Sequence, residues 1–210
     1  MELLLSVILG WLLGILSPGI INFISNNRRQ KKLKQSIISD LKDLKIRLTW
    51  IPFRIKCSYG ILDEKFIKWL KIQTNNWKDL GETPANITLE DIEKIEKQST
   101  LDAYNSLYKK NKPAFSFPKM LTSIIDSNLM NVELLDDDFL SKILEIKFQI
   151  NGFNKEVDRL NELYKMTFDS NIISENHSII STQIEATNLT ILDKAIYIVE
   201  KINRIINSNN

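Results

Sequence analysis

The chain has 210 residues, of which 43% are hydrophobic and 26% are charged, a balance that excludes a disordered polymer. Only 6 Gly and 5 Pro are present, so we expect long elements and few loops, which favours an all-α fold over a many-turned β fold. The single cysteine excludes an intrachain disulfide. The net charge of +2 is small, so the chain as a whole is neither strongly basic nor strongly acidic.

The first predicted element is an uncharged stretch that extends from Leu3 to Asn27. Its apolar part, residues 3–24, would form a helix of about 33 Å, which exceeds the hydrocarbon thickness of a bilayer at about 30 Å. Because a backbone in lipid must satisfy its own hydrogen bonds, we expect one helix here, kinked near Pro18. We therefore predict a transmembrane anchor over residues 1–27, with the span at about 3–24.

A secretory signal peptide is the alternative for this stretch, but the apolar run is too long and only two residues precede it. The basic cluster that follows favours an uncleaved anchor with its N-terminus outside and everything else in the cytosol. We expect the same cluster to contact anionic lipids of the inner leaflet. It consists of Arg28, Arg29, Lys31, Lys32 and Lys34.

The composition also indicates the kind of membrane. The chain has 32 isoleucines, 22 lysines and 20 asparagines, and these residues have AT-rich codons. This usage indicates a bacterium of low GC content, and hence the bacterial inner (cytoplasmic) membrane as the location.

Three small residues, Ser6, Gly10 and Gly14, recur every fourth position of the predicted span. Small residues let two helix backbones approach closely in lipid, so this face predicts self-association and a homo-oligomer. The alternative is that glycine is simply common in membrane helices.

Residues 28–56 are predicted to form a basic juxtamembrane helix with a net charge of +8, and Pro52 is expected to end or kink it. These basic residues directly follow the span, and the cytoplasmic end of a membrane span is expected to carry such residues. They therefore need no further explanation, and we do not predict nucleic acid binding. Its apolar face repeats at intervals of three or four residues. That face comprises Leu33, Ile37, Leu41, Leu44, Leu48 and Ile51.

Residues 57–210 carry a net charge of −5 and are predicted to form a cytosolic helical bundle with long antiparallel helices. Its first helix is expected over 61–77, with Ile72 among the inward residues, followed by a loop at 78–86 and helical stretches from Thr88 to Lys110. The proline- and phenylalanine-rich segment 111–118 is interpreted as a structural strap across the bundle, with a partner-docking loop as the alternative. A short helix is expected over 119–129.

The strongest pattern in the predicted cytosolic bundle is an apolar seam of about four heptads, which predicts a long helix packed against another helix. Asp136, Asp137 and Asp138 precede it, where carboxylates oppose the helix dipole, and Asn151-Gly152 indicates a kink or turn at its centre. The seam residues are Phe139, Ile143, Ile146, Ile150, Phe153, Val157, Leu160 and Tyr164.

A last helix is predicted over residues 177–206, antiparallel to the seam helix across a loop near 169–176. Asn188 occupies one position of its apolar stripe and is expected to fix the register. The pattern leaves open whether the seams close within one chain or between chains.

No sequence motif indicates a catalytic or metal-binding site. His177, the only histidine, lacks the companions of a triad or zinc site and is interpreted as a cap or loop residue. Cys57 is interpreted as a small buried apolar residue. There is no glycine-rich phosphate loop, so we predict no catalytic residue, no metal and no cofactor.

In architecture, the chain resembles the small single-span proteins that accompany bacterial antiviral systems, including accessory membrane proteins encoded beside RNA-targeting CRISPR effectors. Some of those carry a HEPN motif, in which a histidine follows an arginine by four to six residues. Here Asn171 and Asn176 precede His177 and the nearest upstream arginine is Arg159, so the motif is not matched.

Two functions follow from these features. One is a self-associating effector or accessory subunit that perturbs the inner membrane, with a role in antiviral defence implied by the resemblance. The other is a non-catalytic tether or scaffold that recruits a cytosolic protein partner to the bilayer. An enzyme of unrecognised type is the third, less favoured hypothesis.

Overall fold

The computed structural model describes residues 2–74, 101–103, 105–106, 116–128, 133–169 and 172–209. Within α-helical segments, the side chains of residues 2–10, 12–13, 15–19, 123–124, 128 and 174 fall outside that description. The loop predicted at 78–86, the helix predicted from Thr88 and the first part of the strap at 111–115 also lie outside the described residues.

Every regular element in the described residues is helical, which confirms the all-α prediction. Five helices have defined bounds, and residues 101–103 and 105–106 are also helical. No strand occurs among the described residues. The helices are α1 (Glu2–Tyr59), α2 (Glu64–Thr74), α3 (Ser123–Asn128), α4 (Asp137–Thr167) and α5 (Ser174–Asn207).

Among the residues that the structure describes, no helix is long and apolar enough to cross a bilayer.

Helix α1 continues past Pro52, so it does not end at this proline, and the alternative expectation of a kink there stays a prediction. A proline removes one backbone hydrogen bond, but here its neighbours Trp50, Ile51 and Phe53 are all buried, and their packing holds the helix together. The helix ends instead at Gly60, whose φ of 61° suits a glycine. Its N–H donates to the Cys57 carbonyl and that of Ile61 to the Lys56 carbonyl, both at 3.0 Å, which is a Schellman motif.

The chain divides into two units, and both α1 and α4 contribute residues to each. The first unit comprises Met1–Asp40 and Thr122–Ile143, and the second comprises Leu41–Leu121 and Leu144–Asn210. The predicted divisions after residues 27 and 56 fall inside α1 and stay predictions. The buried apolar side chains of the first unit are Leu33, Ile37, Ile125, Leu135, Phe139 and Ile143.

In the second unit, α4 and α5 lie antiparallel, as the sequence predicts. Glu145 faces Lys201, with 2.7 Å between Oε1 and Nζ, while Gly152 faces Lys194 further along both helices. Residue numbers therefore rise along α4 as they fall along α5. This antiparallel pair brings the apolar stripes of both helices into the interior, so the seams are buried within one chain.

The seam is continuous through Asn151-Gly152, and the predicted kink or turn does not interrupt α4. Ile150 and Phe153 flank the pair and have no exposed surface. Burying each such side chain stabilises the fold by about 1.5–3 kcal/mol, which outweighs the low helix propensity of Asn and Gly. A Cβ added at Gly152 would lie 3.5 Å from the Lys194 Nζ, an ordinary contact.

Helix α2 packs into a core cluster of the second unit. Phe66, Ile67 and Leu70 are buried, and the Phe66 and Trp69 rings stack with their centroids 5.3 Å apart. The prediction that Ile72 points inward is wrong: its side chain is 71% exposed, because the buried face continues through Gln73 and Thr74 instead. The cluster comprises Trp50, Phe53, Cys57, Leu62, Phe66, Ile67, Leu70 and Leu101.

Candidate functional site

Five of the described side chains in the first part of α1 are large, apolar and exposed. They are 46–67% exposed, although large apolar side chains gain about 1.5–3 kcal/mol each when they leave water. Large apolar side chains that are exposed together on one helix are typical of a surface that contacts lipid or another protein. We call this set the apolar segment of α1; it comprises Trp11, Ile20, Ile21, Phe23 and Ile24.

Basic side chains follow the apolar segment on the same helix. Four of the five predicted lipid-contacting residues are exposed, namely Arg28, Arg29, Lys31 and Lys32. Lys34 is different, because its ammonium group donates a hydrogen bond to Asp136 and its side chain is half-buried. We therefore leave Lys34 out of the lipid-contacting set.

Lys34 belongs to a three-residue contact that we call a clasp. Asp136 is the N-cap of α4: its Oδ1 accepts the N–H of Phe139 at 2.8 Å, while its Oδ2 accepts Lys34. The Lys34 Nζ also lies 5.1 Å from the centroid of the Phe139 ring, within the range of a cation–π interaction. The hydrogen bond from Lys34, followed by that from the Phe139 backbone, lowers the pKa of Asp136.

A second clasp with the same geometry lies in the second unit. Asp63 caps α2 through a 2.8 Å bond from the Phe66 N–H, its Oδ2 lies 2.6 Å from the Lys56 Nζ, and that nitrogen is 5.2 Å from the Phe66 ring centroid. Burial raises the pKa of Asp63, but the hydrogen bonds from Lys56 and the backbone outweigh it, and the net shift is downward. The shared signature, Asp-x-x-Phe at a helix start, was present in the sequence but was not recognised.

Two grooves lie beside α1 in the first unit. The larger is an open groove of about 600 Å³, bounded on α1 by two basic, two polar and one apolar residue, and on the other side by Glu133 and Leu134. The smaller, of about 360 Å³, shares Arg29 and Lys32 with the larger and extends to Ile21 and Ile24. The α1 residues of the larger groove are Asn26, Arg29, Lys32, Leu33 and Ser36.

The small-residue face of α1 is described only at Gly14. A Cβ added there would meet nothing within 4 Å, so this point of the face is open in a single chain. Ser6 and Gly10 lie on α1, but their surroundings fall outside the described residues. Self-association through this face stays a prediction.

The residues singled out for possible chemistry are not brought together. His177 is exposed in the first turn of α5, and Asp138 pairs with Lys142 at 2.6 Å. Burial raises the pKa of Cys57 to about 12, which keeps its thiol protonated and unreactive at neutral pH. Among the described residues, no group of three or more His, Cys, Asp and Glu side chains is placed to hold a metal ion.

The described part of the predicted strap is residues 116–118. Residues 119–121, which follow it, are not helical, since the helix expected from residue 119 begins only at Ser123. Together, residues 116–121 lie along α4 in the second unit. Asn154 bonds both backbone groups of Met120: Oδ1 accepts its N–H at 2.8 Å, and Nδ2 donates to its carbonyl at 2.9 Å. Lys119 pairs with Asp158 at 2.8 Å, and Phe117 and Met120 are buried. These contacts favour the structural interpretation of this segment over a docking loop.

Asparagines form three further polar contacts in the second unit that the sequence patterns did not reveal. Asn105 bonds the N–H and carbonyl of Leu62, each at 3.0 Å, in the same manner as Asn154. Asn188 is buried in the seam and donates to the Tyr59 hydroxyl at 3.0 Å, while its Oδ1 has no hydrogen-bond partner among the described residues. Asn203 donates to Gln73 at 2.6 Å.

These features define an all-α protein with a buried antiparallel helix seam and a long first helix that changes from apolar to basic along its exposed surface. Comparison with protein-family models, with curated proteins and with solved structures finds no match to this chain.

Proposed function

We propose that this chain is a single-pass protein of the bacterial inner membrane, in which the first part of α1 anchors a cytosolic helical bundle that recruits a protein partner. One observation carries the proposal. The apolar segment of α1 and the exposed cations Arg28, Arg29, Lys31 and Lys32 follow each other on one helix, without an intervening break.

The order of these side chains matches the profile of a bilayer. Residues 3–24 supply the apolar length, Trp11 and Phe23 add aromatic surface, and the cations come where the headgroups would begin. Each Lys or Arg near an anionic leaflet contributes about 1 kcal/mol of attraction. Since such clusters remain on the cytoplasmic side, the bundle is placed in the cytosol.

A tether is favoured over a pore because the long seams are already filled. The described seam residues of α4 and α5 pack against each other within one chain, with Ile146, Ile150 and Ile198 having at most 1% of their surface exposed. An assembly that lined a pore with these helices would first have to separate them. A seam that is buried within one chain suits a tether, which needs no rearrangement of these helices.

Alkaline carbonate extraction of cell membranes tests the anchor. We expect the full-length chain to remain in the membrane pellet, and the variant I8R/L12R to be released, because a charge at the centre of a span costs about 2.5–3.5 kcal/mol. The matched control is I72R/F148R, which places the same charges at two exposed apolar positions of the bundle. Release of the unaltered chain by carbonate would refute the proposal.

A second candidate, the self-associating effector that perturbs the membrane, is favoured by the open face at Gly14. Here Ser6, Gly10 and Gly14 would pack two spans together. Replacing the span with an unrelated one separates the candidates: a tether keeps partner recruitment, whereas a perturbing effector loses its effect on dye uptake. A G10I/G14I variant that still permeabilises cells would exclude this candidate.

A further inference from the structure

We infer that the first unit contains a binding site for one anionic phospholipid, in the groove between α1 and the turn at residues 133–134. This inference deepens the proposed function and rests on it, because the lipid reaches the site from the bilayer that holds α1. The occupant is a phosphodiester lipid of single negative charge with a hydroxylated headgroup, of the phosphatidylglycerol type.

The wall on α1 is built by one face of the helix. Asn26, Arg29, Leu33 and Ser36 recur at intervals of three and four residues, and Lys32 flanks them. Arginine offers a planar fork that binds phosphate oxygens in pairs, and lysine adds a point charge. Neither Arg29 nor Lys32 forms an ion pair with a described residue, whereas the nearby Lys34 forms an ion pair with Asp136.

The two grooves together have the polarity of a lipid. Along α1, the smaller is lined first by Ile21, Ile24 and Ser25 and then by Arg28, Arg29 and Lys32, of which the last two also line the larger groove. The path therefore runs from apolar side chains, past a hydroxyl, to cations. In a phospholipid, an acyl chain, a glycerol backbone and a phosphate follow one another in the same order. A free phosphate ion would contact only the cations and would leave the apolar part of the path empty.

Glu133 determines the headgroup. It lines the larger groove opposite Arg29 and Lys32, and it is exposed. Its carboxylate accepts hydrogen bonds from headgroup hydroxyls, but it repels a second negative charge. A phosphodiester with one charge and free hydroxyls fits this pair of walls, while a phosphate monoester lipid, which carries a second charge, is disfavoured.

The test uses native mass spectrometry of the full-length protein released from lipid nanodiscs, in which bound lipids are counted by mass. The nanodiscs contain phosphatidylcholine with phosphatidylglycerol, phosphatidylethanolamine or phosphatidic acid. The R29Q/K32Q variant is compared with K42Q/K65Q, which removes the same charge from two exposed lysines that line neither groove and lie outside the predicted lipid-contacting set. Helix content by circular dichroism establishes that both variants fold.

We expect the unaltered protein and K42Q/K65Q to retain one phosphatidylglycerol, and R29Q/K32Q to lose it, with affinity falling about tenfold for each charge-assisted contact removed. E133Q should reduce the preference for phosphatidylglycerol over phosphatidic acid. Equal losses in both double variants, or equal retention of phosphatidylcholine, would overturn the site while leaving the anchor intact. A chain that does not enter nanodiscs at all would instead refute the proposed function.

Discussion

Lys56 and Asp63 join the end of α1 to the start of α2, with 2.6 Å between Nζ and Oδ2. The same carboxylate caps α2, and the same ammonium group lies over the Phe66 ring. Because Lys34, Asp136 and Phe139 repeat this arrangement at the start of α4, one helix of the protein uses two of its lysines to hold the starts of two others. Charge, cap and aromatic contact thus coincide at both places.

The clasps predict acid sensitivity. The pKa values of Asp63 and Asp136 are both lowered in the folded chain, so each carboxylate stabilises the fold above its unfolded pKa of about 3.9. That stabilisation is lost as the pH falls from about 4 through the lower, folded pKa values, because the folded state must then take up protons. Urea unfolding at a series of pH values should show the free energy of unfolding falling across this window.

The variant D63N/D136N tests the origin of this acid limb. Asparagine keeps an N-cap oxygen but does not titrate, so the variant should be less stable than the unaltered chain at neutral pH and show a shallower decline below pH 4. The control is D138N, which breaks a pair with Lys142 inside one helix. An acid limb of unchanged steepness in D63N/D136N would show that other carboxylates cause it.

The segment that follows the strap, residues 119–121, provides a prediction about stability. N154A should lower the free energy of unfolding by about 1–3 kcal/mol, because it leaves the N–H and carbonyl of Met120 without their partner. The matched control is N151A, one turn earlier on α4 at an exposed position, where alanine should stabilise the helix slightly. Urea denaturation measures both, and equal effects of the two substitutions would contradict the account.

The polar contact in the seam is suited to a double-mutant cycle. Y59F removes the hydroxyl that accepts from Asn188, leaving the buried amide with less hydrogen bonding, and should cost about 1–3 kcal/mol. In an N188L background the same substitution should cost clearly less, because the amide is gone. If the two costs are equal, the Tyr59–Asn188 contact does not stabilise the fold.

Burial of the thiol predicts that Cys57 is chemically silent in the folded protein. With a pKa of about 12 and 7% exposure, it should react with a maleimide only after urea unfolds the chain. An introduced cysteine, N151C, is the accessible reference, since this position is exposed. Labelling of Cys57 in the native chain at a rate near that of N151C would contradict the buried placement.

The long apolar periodicities of the sequence were informative because burial dominates the energetics of helices. The 4-3 spacing from Phe139 to Leu160 corresponds to side chains that are at most 2% exposed, and the antiparallel partner of α4 was also predictable. Local breakers were weighted too heavily. Pro52 and Gly152 lie between buried neighbours, whose packing outweighs their intrinsic preferences.

Long-range polar contacts were not predictable from the sequence. Asn105 and Asn154 bond backbone groups 43 and 34 residues away, and no periodicity records such a pairing. The clasps are predictable only in part. The sequence Asp-x-x-Phe marks a helix start, but it does not reveal which lysine will pair with the aspartate. The grooves beside α1 depend on where residues 133–134 fold back, which a single sequence does not specify.

The orientation of α1 across the membrane is the most direct test of the central claim. In a C57S background, single cysteines are introduced as E2C and S208C, and intact cells are treated with a maleimide that does not cross membranes. The account predicts that E2C is labelled from outside, and that S208C is labelled only after the inner membrane is opened. Labelling of S208C in intact cells, or protection of E2C at the outer face, would contradict it.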